Sequence, residues 1–146
     1  MQYLKERTMQ IKVHAQAIEH DGQKFIRIKS DVEIVHITGP TSHRLKRTRG
    51  IWDTGCTHTS IPLSTAKALG LTLGEEVPAL TVSSVGKSYP CQFLLHFPNI
   101  GVIQVTEGLA VEDMKTSLLI GMDVMSRGVT TIEPDGGGGV VFTFET

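Results

Sequence analysis

Two cysteines in 146 residues, Cys56 and Cys91, are too few for a disulfide framework. Long apolar runs are missing as well. Only 40% of the chain is hydrophobic, and no stretch approaches the ~20 residues that a membrane-spanning helix needs. Charge of one sign is not in excess. A net charge of −1 gives no reason to expect nucleic acid or an anionic membrane surface as a partner. The opening, Met1-Gln2-Tyr3-Leu4-Lys5-Glu6-Arg7, is charged and lacks the apolar segment of a signal peptide. The expectation is a cytoplasmic protein with no membrane segment. His14, His20, His36, His43, His58 and His96 show no metal-ligand spacing, so neither a metal nor another cofactor is expected. The length suits one domain with a real core, and no internal repeat is present.

What the chain does have is a succession of short strands. Met9, Ile11, Val13, Ala15 and Ala17 share one face of a strand over 9–17. His20-Asp21-Gly22-Gln23 is a hairpin turn, and Phe25-Ile26-Arg27-Ile28 begins the return strand. This opening hairpin has a structural role, extending a sheet or covering an edge. Further strands are predicted over 32–37, 77–82, 89–97, 102–105, 108–111, 130–132 and 140–144. A helix over 62–70 is capped by Ser64 or the turn before it and stopped by Gly70; a second helix covers 122–127. Many short strands with two short helices make a mostly-β domain. The only basic run, over 43–49, is short and has no interleaved aromatics, so it reads as a solvated hairpin arm. The glycines of 136–139 form a flexible loop; Val140-Val141-Phe142 after them reads as strand, whereas a phosphate cradle needs a helix start there.

One stretch stands apart: Ile51-Trp52-Asp53-Thr54-Gly55-Cys56-Thr57-His58-Thr59-Ser60-Ile61. A strand delivering Ile51 and Trp52 to a core stops at Asp53. Thr54 and Gly55 then turn the chain, with Gly55 allowing close backbone approach. One carboxylate is thereby held at a strand end on a crowded turn. Alone, Asp-Thr-Gly is ordinary turn chemistry. Downstream, however, Leu118-Leu119-Ile120-Gly121-Met122-Asp123-Val124-Met125 is an apolar run, a glycine and a short helical segment. Together, in this order, the two motifs resemble those of the retropepsin-like aspartic proteases, the single-domain family of the retroviral proteases and their cellular relatives. That family pairs Asp-(Thr/Ser)-Gly with a later apolar-apolar-Gly-x-(Asp/Asn) segment. Val82-Ser83-Ser84-Val85-Gly86-Lys87-Ser88-Tyr89 sits where the family has its flap hairpin. The resemblance covers roughly 31–146. It implies a closed β-barrel acid protease fold with two short helices over 31–146, preceded by an N-terminal β-hairpin extension over 1–30.

Hydrolysis of a peptide by carboxylates needs two of them close together, one accepting a proton from water and one donating to the carbonyl oxygen. Like charges ~3 Å apart cannot both ionise, so the pair shares a proton. This chain has one Asp-(Thr/Ser)-Gly and is too short for both halves of a pepsin-like enzyme. A homodimer follows, with Asp53 from each chain on a two-fold axis. By resemblance, Thr54 bonds across that axis, Gly55 presents backbone to the dyad and the peptide, and Thr59 supports the loop. Asp123 serves structure, and Gly121 permits packing behind the catalytic loop. Val85, Gly86 and Lys87 are the expected flap tip, closing over substrate. Leu118, Leu119 and Ile120 approach the cleft, alternate members lining apolar pockets and the others packing inward; Leu119 is the expected substrate contact. Two departures stand out: Ser83 and Ser84 where a further glycine is often found, and Cys56 where Ala or Ser is usual. A thiol beside a carboxylate dyad should be inert.

The expected function is therefore an aspartic endopeptidase acting on a peptide or protein substrate. The alternative is a non-catalytic module of the same fold used for dimerisation or peptide binding. A Cys56–His58 nucleophilic pair is a weaker rival, for which no orienting third group is evident. Weaker still is a structural β domain with no site.

Overall fold

Alternation of buried and exposed positions organises the chain into strands in a computed structural model that describes residues 8–78 and 86–146. In order, the described residues form β1 (Gln10–Ala15), β2 (Ala17–His20), β3 (Gln23–Ile26), β4 (Lys29–Ile37), β5 (His43–Trp52), β6 (Ser60–Pro62), α1 (Leu63–Ala68), β7 (Ser88–Phe97), β8 (Gly101–Val111), β9 (Leu119–Ile120), α2 (Met122–Met125), β10 (Val129–Pro134) and β11 (Val140–Glu145). The fold is mostly β with two short helices, as expected. Six strands close a barrel in the order β4-β5-β9-β6-β8-β7, with β4 pairing β7 to complete the ring. A separate sheet runs β1-β11-β10, and β2-β3 is a two-stranded hairpin.

Trp52 joins the barrel to the terminal sheet. Its ring lies 5.9 Å from that of Phe97 on β7, and 4.9 Å and 5.4 Å from those of Phe142 and Phe144 on β11. Such aromatic pairs add ~0.5–1.5 kcal/mol each beyond simple burial. The indole N–H donates to Ser30 Oγ at 2.8 Å, so the one polar atom of the ring is satisfied inside the core. Val32, Ile34, Leu95, Leu118, Ile120 and Val124 belong to the same buried cluster. The last residue of β5 is thus locked from several directions, and the residue after it is Asp53.

The structure departs from the sequence expectations in places. The strand over 9–17 is interrupted at Gln16. β1 pairs antiparallel with β11, from Gln10↔Glu145 to Ala15↔Val140, whereas Ala17 already belongs to the β2-β3 hairpin. Burying Met9 and Ile11 beside Phe142 and Phe144 ties β1 to the end of the chain. The hairpin turn itself falls where Asp-Gly placed it, with φ of 50° at Asp21 and 74° at Gly22. The strands expected over 102–105 and 108–111 are one strand, β8. Its register against β7 shifts by a residue between Cys91 and Phe93, so the break read from sequence is a bulge. Ser64 does not cap α1; Pro62 takes the capping position without a side-chain bond. The loop over 136–139 is tied down by Asp135, whose Oδ1 accepts the N–H of Gly137 at 2.7 Å and of Gly139 at 3.0 Å. Those two N–H groups hold the Asp135 carboxyl below its ordinary pKa.

The basic run over 43–49 does form a solvated arm of the β4-β5 hairpin. On its outer face Arg47 Nε meets Glu33 at 3.0 Å, and His96 Nδ1 meets the other Glu33 oxygen at 2.6 Å. The bond to His96 is the main cause holding the Glu33 carboxyl below its ordinary value, with Arg47 adding to it and burial opposing it. A carboxyl whose pKa is lowered by folding contributes stability that is complete above the unfolded value and lost as pH falls through the folded one. The stability difference between the native protein and Glu33→Gln should therefore be largest near neutral pH and close below about pH 4.3. Thermal melts of both proteins across pH check this; a difference that stays constant into acid would contradict it.

Candidate active site

Asp53 follows β5 directly, and its backbone is held on both sides. Its N–H donates to Ile120 O at 2.9 Å, and its carbonyl accepts the Cys56 N–H at 3.2 Å, closing a tight turn. Behind it, Ile51 N–H donates to Leu118 O and Trp52 N–H to Ile28 O. The carboxylate leans back over the turn: Oδ1 accepts the Gly55 N–H at 2.9 Å. Asp53 is half-buried, while Thr54 and Gly55 are exposed. One carboxylate is thus fixed at a surface, on a turn whose two following residues point outward.

The second motif packs against the first. Gly121 lies so near the Asp53 loop that an added Cβ would stand 2.6 Å from Cys56 O and 3.0 Å from the His58 carbonyl carbon. Its φ is an ordinary −100°, so the need for glycine here is one of space. Thr59 Oγ1 donates to Asp123 Oδ1 at 2.7 Å and accepts the Gly121 N–H at 3.1 Å. Asp123 Oδ1 also accepts the N–H groups of Thr59 at 3.0 Å and Val124 at 2.9 Å. Met122 N–H to Cys56 O and Asp123 N–H to Thr57 O complete the clasp. Asp123 is therefore engaged in binding two loops together, and Thr59 and Gly121 have the supporting geometry expected of them.

Cys56 is buried beneath the turn. Its thiol donates to the His58 carbonyl at 2.8 Å, with Ser60 Oγ 3.9 Å away. Burial pushes the thiol pKa up, and the charges of Asp53 and Asp123 push the same way against the bonds to Ser60 and His58. Cys91 is also buried and is pushed up to about 12 by burial. The His58 ring turns elsewhere, with Nδ1 donating to Glu107 O at 3.0 Å. A thiol that is buried and kept protonated, next to an imidazole engaged with a different group, does not make a nucleophilic pair.

The expected substrate contacts are distributed unevenly. Leu118 and Ile120 are fully buried, whereas Leu119 between them is half-exposed and lies beside Ile51 in the sheet. Val85, with Val82, Ser83 and Ser84 of the expected flap, lies outside the described residues. Gly86 and Lys87 are described, and both lie against Glu112. A Cβ on Gly86 would stand 2.5 Å from Glu112 O, and Lys87 O accepts the Glu112 N–H at 2.8 Å. Val77 bridges Ser88 across the base. The β7-β8 ladder thus reaches to Lys87, a long-range pairing invisible in the hairpin sequence alone. Sequence reasoning also missed Ser30 and Ser60, which satisfy Trp52 and flank Cys56; a serine in a strand carries no signal of its partner. Among the described residues no group of three or more His, Cys, Asp or Glu side chains is gathered as a metal site would require.

Comparison with known proteins places this geometry. The chain is similar in structure to a retropepsin-like aspartic protease from Rickettsia conorii, with a TM-score of 0.55 at 15% identity, covering 96% of this chain and 94% of that one. It also matches the retroviral protease-like domain of Ddi1 from Leishmania major, with a TM-score of 0.45 at 15% identity over 70% of this chain and 80% of that domain. No protein-family model and no curated protein matches the chain by sequence. At this identity the likeness to the Rickettsia structure shows a shared fold: the chain has the retropepsin-like acid protease fold.

The clasp is testable by stability. Gly121→Ala should cost about 1–3 kcal/mol because the Cys56 carbonyl must move. Thr59→Val should cost about 1–3 kcal/mol because Asp123 loses a donor in a partly buried site, while Thr59→Ser should retain most of the stability. Urea unfolding of the three variants measures this; a neutral Gly121→Ala would contradict the close packing.

Proposed function

We propose that the protein is an aspartic endopeptidase whose catalytic pair is Asp53 from each of two chains. The observation that carries this reading is Asp53 itself: a half-buried residue at a strand end, its backbone N–H bonded to Ile120 O and its carboxylate accepting the Gly55 N–H, on a turn that exposes Thr54 and Gly55. One such group cannot serve as both acid and base, and a second copy related by a two-fold axis supplies the other. Thr54 braces the two turns across the axis. Gly55 contributes backbone to the pair and to the peptide.

In the reaction the ionised Asp53 takes a proton from water as the water oxygen attacks the peptide carbonyl carbon. The protonated Asp53 of the other chain donates its proton to the carbonyl oxygen. Collapse of the tetrahedral intermediate breaks the C–N bond and returns a proton to the leaving amine, without covalent attachment to the enzyme. The substrate is extended, with Leu119 beside the cleft favouring apolar side chains near the scissile bond. The segment containing Val85, Gly86 and Lys87 closes over it and excludes water. The retropepsin-like fold of the Rickettsia conorii enzyme supports this reading, as does the intact Asp-Thr-Gly turn.

Because one carboxyl of the pair must stay protonated, activity should rise as pH falls below neutral and decline again once both are protonated. The test is cleavage of a peptide library across pH, with and without a pepstatin-like inhibitor. Asp53→Asn should lower the rate at least about a hundredfold and leave the fold unchanged by circular dichroism. Cleavage that survives Asp53→Asn overturns the proposal. Dimerisation with saturable peptide binding but no cleavage at any pH assigns the protein to the non-catalytic alternative.

A further inference from the structure

The basic run on β5 lies at an open edge of the barrel. On one side β5 pairs with β4 from Lys29↔Ile51 to Ile37↔His43. On the other side β9 meets β5 only at Ile51 and Trp52. Upstream of Ile51, β5 has no second neighbouring strand among the described residues. Bonds at the two ends of the β4-β5 hairpin show which backbone groups this edge presents. Trp52 N–H donates to Ile28 O at 2.9 Å, and Thr38 N–H donates to Ser42 O at 3.1 Å, so the even-numbered residues of β5 turn toward β4. Ile51 N–H donates the other way, to Leu118 O at 3.0 Å. Direction alternates along an antiparallel strand, so Leu45, Arg47 and Arg49 turn their N–H and C=O outward. Those groups have no bonded partner among the described residues.

The same alternation sorts the side chains of β5 onto two faces. Arg47 and Arg49 stand beside Glu33 and Asp31 of β4, at 3.0 Å and 3.5 Å. Leu45 shares their face and is 40% exposed. It lies opposite Val35, which lies opposite Leu94, and both of these are buried. On the other face Arg44 and Lys46 are exposed and form no salt bridge among the described residues. Lys46 Nζ donates to Thr65 Oγ1 at 3.3 Å, and the Arg44 guanidinium lies against Gly70. One face of the arm is thus part apolar, with its arginines already paired. The other carries two cations that no described carboxylate offsets.

We propose that this edge docks an extended segment of a partner protein, added antiparallel to β5 over 45–49, with acidic side chains on one face and apolar side chains on the other. Leu45, Arg47 and Arg49 together offer such a strand about six backbone bonds. The side chains of the added strand fall in two rows. One row meets Arg44 and Lys46, where a carboxylate finds cations with no competing acid. The other row meets Leu45 and two arginines that Glu33 and Asp31 already occupy, so apolar side chains suit it. A second copy of β5 is the wrong occupant, because its own arginines and lysine would lie opposite these. A nucleic acid strand fits poorly as well. It has no backbone amides to complete the ladder, and β5 carries no aromatic side chain before Trp52 on which a base could stack. The proposal does not depend on the catalytic reading of Asp53; it concerns a different stretch of the strand that leads there.

The probe is a short, end-capped, fluorescently labelled peptide that alternates Glu and Val, with binding to the full chain followed by anisotropy. It should bind saturably, and a peptide alternating Lys and Val should not. The double variant Arg44→Glu/Lys46→Glu, shown to be folded by its thermal melt, should weaken binding at least about tenfold. Chemical change in the peptide tests the pairing without touching the protein. The Val residues lie opposite the outward-facing residues of β5, so their N–H groups enter the ladder, whereas those of the Glu residues point away. N-methylation at Val should therefore abolish binding, and N-methylation at Glu should leave it. On binding, hydrogen exchange should slow at the amides of Leu45, Arg47 and Arg49 and stay unchanged at those of Arg44 and Lys46. Absence of saturable binding overturns the proposal. So does binding that survives N-methylation at Val, which would be charge attraction alone. Displacement of the peptide by a pepstatin-like inhibitor would place it in the Asp53 cleft and would overturn the edge site while leaving the catalytic reading intact. Single-stranded DNA that binds more tightly than the peptide would assign the edge to nucleic acid and overturn a protein partner.

Discussion

The bond from Thr59 Oγ1 to Asp123 Oδ1 is short, partly buried and spans 64 residues of sequence. Through it, a turn carrying an exposed carboxylate is fastened to a helix start that follows an apolar strand. The same hydroxyl accepts the Gly121 N–H, and the same carboxylate oxygen accepts two more N–H groups. Satisfying those donors leaves a space between the loops that only a glycine at 121 can occupy. A carboxylate mounted on a mobile loop would lose much of its catalytic value, because small displacements of a reacting group are costly. Here the clasp from one side and the Trp52 cluster from the other hold the chain on either flank of Asp53.

This division of labour separates two aspartates that look equally available in the sequence. Asp123 lies within a network of donors and links two loops. Among the described residues Asp53 has one donor to its carboxylate, the Gly55 N–H, and it stands at the surface. The proposed catalytic role needs a carboxylate with a free face, and Asp53 is only half-buried. Cys56 fits the same arrangement. Its thiol fills a small space beneath the turn and donates to a backbone carbonyl, much as a small side chain with weak polarity should. Cys56 therefore fills that space and adds no competing nucleophile.

Much of the barrel was legible because its cues are local. Alternation at Val32 and Ile34, the Asp21-Gly22 turn, the stop at Gly70 and the apolar run ending at Gly121 each act within a few residues. The two motifs that point to the site were also readable, since each is a short run with a fixed order of residue types. What escaped the sequence was pairing across distance. Nothing near Ile11 announces that it will lie opposite Phe144, so β1 was assigned to the opening hairpin when its partner is the last strand. The bulge facing Cys91 and Phe93 looked like a gap between strands, because an extra residue interrupts alternation just as a turn does. Nor does the sequence around Gly86 announce that its lack of a Cβ admits close contact with the Glu112 carbonyl.

The half-site nature of Asp53 is open to a direct measurement: the activity of mixtures of native and Asp53→Asn chains, allowed to exchange subunits, at constant total concentration. A catalytic pair built from two chains predicts that activity falls as the square of the native fraction, to about one quarter in an equal mixture. Activity that falls in simple proportion, to about one half, would mean that each chain works alone and would contradict a shared active centre.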